Sequence, residues 1–123
     1  MTEEPRDQAL KRLYEAEQRG TVDVDLGGVP AKAARMISGV LSHKDELDAR
    51  IEATSDHWSV DRMPPIDRTV LRIGLYELQH EPDIPAAVIV SEAVRLAKTY
   101  STERSGSFVN GVLGHLADEE RPG

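Results

Sequence analysis

The chain contains no cysteine. Disulfide staples and thiolate metal sites are therefore excluded, and the composition fits a reducing cytosol. Aromatic residues are scarce: one Trp, one Phe and three Tyr among 123 residues. Leu, Ile, Val and Ala must therefore build the core, at about 1.5–3 kcal/mol for each large aliphatic side chain buried. No apolar run approaches the roughly 20 residues needed to span a bilayer. Met1-Thr2-Glu3-Glu4-Pro5 has neither the basic region nor the apolar stretch of a secretory signal. The expectation is a small cytoplasmic protein without membrane contact.

The marks of catalysis are missing as well. No G-x-x-x-x-G-K-[ST] loop is present to cradle phosphates, and no G-x-G-x-x-G follows a strand. His43, His57, His80 and His115 are scattered, and none forms the i, i+4 pair of a metalloprotease site. Gly39 and Ser42 do not form a nucleophile elbow. The chain is read as a non-enzyme, with no catalytic residue, metal or cofactor.

What is present is a charged chain with helical periodicity. Hydrophobic residues make up 39% and charged residues 30%, a balance that suits one compact domain. The net charge is −7, which disfavours a global field attractive to nucleic acid. The charge is uneven, however. Residues 1–61 hold 8 basic and 13 acidic side chains, whereas residues 62–104 hold 6 of each. Any basic patch must be a local stripe.

Leu10, Leu13 and Ala16 mark a first amphipathic helix from Arg6 to Arg19, closed by Gly20. Asp23, Asp25, Gly27, Gly28 and Pro30 mark a loop. Val22 to Leu26 alternates like a strand but has no partner. Ala33, Ile37, Val40 and Leu41 indicate a second helix. Ser42 with Asp45 resembles a capping box opening a third, with Leu47, Ile51 and Trp58 on one face. Ser59 to Arg62 suits one short turn. Pro65 suits the first position of a fourth helix reaching about His80. A fifth covers Ala86 to Thr99, a polar loop covers Ser101 to Ser107, and a last helix carries Val109, Val112, Leu113, Leu116 and Ala117. Asp118 to Gly123 is expected to fray. The fold class is all-α: six to seven helices, in sub-bundles of about residues 1–57 and 58–118.

Two faces could bind. At 100° per residue, Arg68, Arg72 and Tyr76 form an i, i+4, i+8 ladder away from the apolar arc of the fourth helix. Two guanidinium groups and a phenol can hold phosphate and stack a base. A solvated face paired locally to Asp67 and Glu77 is the ordinary alternative. Asp67 and Glu77 project toward the apolar arc, and Glu77 there needs either an intramolecular arginine or a bound protein. Val88 lies outward beside Ser91, Arg95 and Lys98. Phe108, beside the polar loop, either packs in the core or stacks a base.

The order of these marks carries a resemblance. Asp67-Arg68, Leu71-Arg72-Ile73 and Tyr76-Glu77-Leu78 are followed by Ile84-Pro85, Glu92-Ala93-Val94 and Leu96-Ala97-Lys98. Phe108-Val109-Asn110-Gly111-Val112-Leu113 closes the series. Together with Ala9–Glu15, they resemble the NusB family of bacterial transcription antitermination factors. The resemblance implies two packed three-helix units. It implies binding to boxA-type RNA of ribosomal RNA transcripts in a heterodimer with the ribosomal protein NusE, which helps RNA polymerase resist termination. NusE would pack on the second unit. The resemblance implies RNA contacts near Tyr14, Asp67, Arg72 and Phe108, with Arg6 at the end of the family's arginine-rich segment; Arg68 and Asn110 complete the candidate RNA-binding set, and Glu77 and Val88 are the candidates for a protein partner. On this reading Arg72→Ala weakens RNA binding and leaves the fold intact.

One departure stands out. Glu3 and Glu4 occupy positions where the family carries paired arginines just before Arg6. RNA binding by the chain alone should then be weak. Two other readings follow. One is a helical interaction module or homodimer that keeps only the fold. The other is part of a fused methyltransferase, disfavoured because 123 residues leave no length for a catalytic domain.

Overall fold

The computed structural model describes residues 4–54 and 59–122. Six α-helices follow one another: α1 Pro5–Gln18, α2 Ala31–Ser42, α3 Lys44–Thr54, α4 Pro65–His80, α5 Ala86–Tyr100 and α6 Glu103–Glu120. A single 3-10 turn, Val60–Arg62, precedes α4. No strand occurs among the described residues, and Val22 is 70% exposed in its loop. The fold is all-α, as the periodicity indicates.

Pro5 and Pro65 sit at the first helical position of α1 and α4, where a missing N–H leaves no bond unmade. Gly20 ends α1 with φ +69°, a left-handed conformation that side chains resist. α4 lies at the centre. Residues 69 to 78 of it are all buried. α5 and α6 pack on it and on each other to form one three-helix unit; α1, α2 and α3 lean on α4 from the other side. One continuous apolar cluster runs through both halves, from Leu10 and Ile37 to Leu96 and Leu116. Two glycines permit the close approach. Tyr76 lies against Gly39 of α2, and Leu113 lies against Gly74 of α4; a Cβ at either would collide with them.

Four expectations change. Residues 103–107 are helical rather than loop, because Thr102 caps α6 by accepting a bond from the Ser105 backbone N–H at 3.0 Å. The tail does not fray at Asp118. α6 continues to Glu120, and Arg121 donates to the carbonyls of Leu78 (3.1 Å), Glu77 (3.2 Å) and Glu81 (2.8 Å) and to that of Ile84. It thereby fills the bare carbonyl end of α4. Ser42 closes α2 instead of capping α3. The fourth change concerns the Arg68-Arg72-Tyr76 ladder, of which Arg72 (5% exposed) and Tyr76 (6%) face inward while Arg68 stays partly exposed. α4 is packed on nearly all sides, so the side left over by the apolar arc meets α1, α2 and α3 rather than water. Trp58 and the expected sub-bundle boundary at 57–58 lie outside the described residues.

Candidate nucleic-acid interface

The amino end of α4 and the amino end of α6 converge on a cleft of 410 Å³. Met63, Pro64, Asp67, Thr102, Arg104, Ser105 and Phe108 line it. Asp67 is 3% exposed, and its Oδ1 has no hydrogen-bond partner among the described residues. Burial pushes its carboxyl above the usual carboxylate range, and a hydrogen bond from Ser105 only partly opposes this. Phe108 is half-buried and packs one side on the core. Arg104 is exposed at the rim. The cleft thus offers an apolar wall and a cation at its mouth, with the covered Asp67 carboxylate in its lining. A stacked base needs that combination.

Arg68 stands one residue beyond Asp67. Its Nη1 donates to the carbonyls of Met63 (3.2 Å) and Asp61 (3.3 Å). Its Nε is 2.6 Å from Glu17 Oε1, an ion pair without hydrogen-bond alignment. Arg72 grips Asp48 in a two-bond fork, Nε to Oδ1 at 2.7 Å and Nη2 to Oδ2 at 3.0 Å. Its Nη1 lies 3.5 Å from Glu17. Tyr14, half-buried on α1, is one turn from Glu17. Asp67 and Phe108 therefore share the cleft, Arg68 reaches its edge through the Met63 carbonyl, and Tyr14 lies on α1 one turn from Glu17.

Other members of the expected set stand apart. Arg6 is 8% exposed, with Nε and Nη2 each 2.7 Å from the Glu77 carboxylate and Nη1 3.6 Å from Glu92. Burial alone would lower the Arg6 pKa, but the hydrogen bond to Glu77 together with the charges of Glu77, Glu92 and Glu4 raises it. Glu77 is 1% exposed. The intramolecular arginine, not a docked protein, meets its charge. Asn110 is exposed on the groove between α5 and α6, alongside Val90, Ser91, Val94 and Gly114, and not at the Asp67 cleft. Val88 is 44% exposed.

Sequence reasoning missed Arg104 and Ser105, because the segment was read as a loop. Thr102, a capping residue type, followed at once by the acidic Glu103 is the available signal. It also missed Lys11, whose Nζ lies 5.6 Å from the centre of the Tyr100 ring. Nearby, Asp7 accepts bonds from Arg95 (2.7 and 3.2 Å) and Tyr100 (2.7 Å). Burial alone would raise the Asp7 carboxyl, but these donors hold it below the usual range. Among the described residues no group of three or more His, Asp or Glu is placed to hold a metal. No described helix is long and apolar enough to cross a membrane.

A profile of the NusB family matches residues 3–118. This chain belongs to the NusB family. A transcription antitermination protein NusB of Arthrobacter sp. (strain FB24) is 43% identical over 120 residues, spanning 90% of this chain and 88% of that protein. Its counterpart in Listeria monocytogenes is 36% identical over 115 residues, 94% of this chain and 81% of that protein. The crystal form of T. maritima NusB superposes with a TM-score of 0.84 at 36% identity, covering 99% of this chain and 96% of that one. A crystal structure of antitermination factors NusB and NusE in complex with dsRNA superposes with a TM-score of 0.79 at 28% identity, covering 94% of each chain. The NusB relatives are transcription antitermination proteins, and the all-α fold is shared with a NusB structure.

Proposed function

We propose that this chain is an antitermination factor that binds boxA-type RNA of ribosomal RNA transcripts as a heterodimer with NusE. It acts in the cytoplasm, within the antitermination complex of RNA polymerase. The observation that carries the reading is the cleft between α4 and α6, where a buried, unsatisfied Asp67 oxygen lies beside the Phe108 ring and Arg104. A native fold rarely leaves such an oxygen bare, since a buried acceptor without a partner costs about 1–3 kcal/mol. A base edge seated against Phe108 supplies the missing donor. Kinship to a NusB found with NusE and RNA supports the same reading.

The contact set centres on Tyr14, Asp67, Arg68, Arg104 and Phe108. Arg6 and Arg72 are held by Glu77 and Asp48, so they act by setting the positions of α1, α3 and α4. Asn110 and Val88 suit the protein partner instead, since both are exposed on the α5–α6 unit. The test is binding of a boxA-containing RNA with and without NusE across a salt series. Binding that appears with NusE and weakens as salt rises supports the heterodimer; each phosphate contact steepens the slope by about 0.7 for single strands.

The internal pairing of Arg6 and Arg72, with a net charge of −7, favours a second reading. The chain would then be a helical interaction module or homodimer that no longer touches RNA. Absence of RNA binding in both conditions, with NusE still bound in a titration or a doubled mass in solution, would establish it.

A further inference from the structure

Glu17 pairs with Arg68, a member of the proposed RNA-contacting set, and its place is not that of an ordinary surface carboxylate. Its oxygens lie 2.6 Å from Arg68 Nε and 3.5 Å from Arg72 Nη1. One carboxylate thus bridges two guanidinium groups, as a phosphodiester does.

We infer that Glu17 is a built-in competitor for the RNA backbone: it holds the position of a phosphate on Arg68 and must leave before RNA seats there. The inference rests on the RNA-binding reading above.

Three features of the surroundings support displacement. Neither arginine needs Glu17 to stay in place. Arg68 is anchored through Nη1 to the carbonyls of Asp61 and Met63, and Arg72 is held by its fork on Asp48. The Glu17–Arg68 contact is short but unaligned: Arg68 Nε is fully covered and has no acceptor in hydrogen-bond geometry. An anion with three-dimensional freedom at its oxygens satisfies that N–H better than a carboxylate tethered to α1. Glu17 also has somewhere to go. It borders a hollow of 230 Å³, lined also by Gly20, Thr21 and Lys44, where the Lys44 ammonium can receive its charge. Displacement therefore exchanges one counter-ion for another on each side and strands no buried charge.

The consequence is a lowered resting affinity and a selective one. A bare anion or a weakly held RNA cannot displace Glu17. An RNA already docked through Phe108 and the partner protein can, because the second contact is then intramolecular. Tyr14, one turn from Glu17 on α1, is placed to cover the phosphate that enters.

The test uses the full chain with NusE and a boxA-containing single-stranded RNA. Glu17→Gln keeps the shape of the side chain and removes the competing charge. It should bind about three- to tenfold tighter, in line with the loss of one partly buried ion pair, and with a steeper salt slope. Glu15→Gln, one charge lighter but exposed and paired with Arg19, should leave affinity within about twofold. Adding Arg68→Ala to Glu17→Gln should erase the gain. Unchanged or weaker binding by Glu17→Gln overturns the inference, as does a gain that survives without Arg68 or that Glu15→Gln reproduces. Binding by Glu17→Gln where the parent chain shows none supports it. No binding by either protein overturns the RNA-binding reading and this inference with it. Unfolding midpoints of each variant identify any affinity change that comes from a loosened fold.

Discussion

α4 carries two buried carboxylates, ten residues apart, and the fold treats them in opposite ways. Glu77, near the carboxyl end, is 1% exposed and closed off by Arg6 through two bonds of 2.7 Å. Asp67, in the first turn, is 3% exposed and keeps one oxygen without a partner, on the floor of an open cleft. The first is a structural joint that ties the start of α1 to the middle of the molecule. The second is a covered acceptor whose bonding capacity is left unfilled. Burial is the same, so burial does not separate the two carboxylates; the count of satisfied bonds does.

Breaking the Glu77 joint has the largest expected effect. Arg6→Ala leaves Glu77 buried with no close counter-charge, which costs about 3–5 kcal/mol. Chemical unfolding should show the loss directly, with α1 losing its hold on α4. A loss under about 1 kcal/mol would mean that Glu77 finds another donor, and the contrast between the two carboxylates would collapse.

The second test acts at the other carboxylate's cleft. Phe108→Leu keeps an apolar side chain against the core but removes the flat ring beside Asp67. RNA affinity in the presence of NusE should fall by about 1–3 kcal/mol, the worth of one stacked base. The unfolding midpoint should change little, since volume and burial are nearly kept. Equal affinity for the two proteins would move the base-stacking site away from this cleft.

The sequence shows the fold more clearly than the site, for physical reasons. A helix leaves a periodic trace, so α4 is legible from Pro65 to His80 as it stands and the all-α class follows. Which side of a helix meets water depends on how many neighbours it has, and that is not local information. Arg68, Arg72 and Tyr76 look like an outer face from α4 alone; Arg72 and Tyr76 become an inner seam because α1, α2 and α3 cover them, and Arg68 stays partly exposed at its edge. The oddity of Asp67 and Glu77 on the apolar side was legible. Their divergence was not, because Arg6 lies 71 positions away from Glu77 in the chain. Arg72 illustrates the cost of the local view. Held by Asp48, it cannot be removed to test RNA contact without also disturbing the packing of α3 on α4.

The smallest effect expected, and the sharpest for the comparison, comes from the charge of Asp67 itself. Burial raises its carboxyl in the folded protein above the unfolded value. Between those two values the folded state binds more protons than the unfolded one, so stability falls as pH rises through that window. Below the window the penalty is absent; above it the penalty is complete. Asp67→Asn cannot ionise and should escape it. The variant should match the parent chain in acid and exceed it, by on the order of 1 kcal/mol, at neutral pH. Asp7 sets the background for that measurement with the opposite sign. Its carboxyl is held low by Arg95 and Tyr100, so its contribution is present above the unfolded value and is lost as pH falls through the folded one. Both proteins share that acid loss, and it cancels when their unfolding free energies are subtracted at each pH. A difference curve that is flat from acid to neutral would show Asp67 ionising as freely as in the unfolded chain. It would then be one more solvated carboxylate, and the cleft would lose its unsatisfied acceptor.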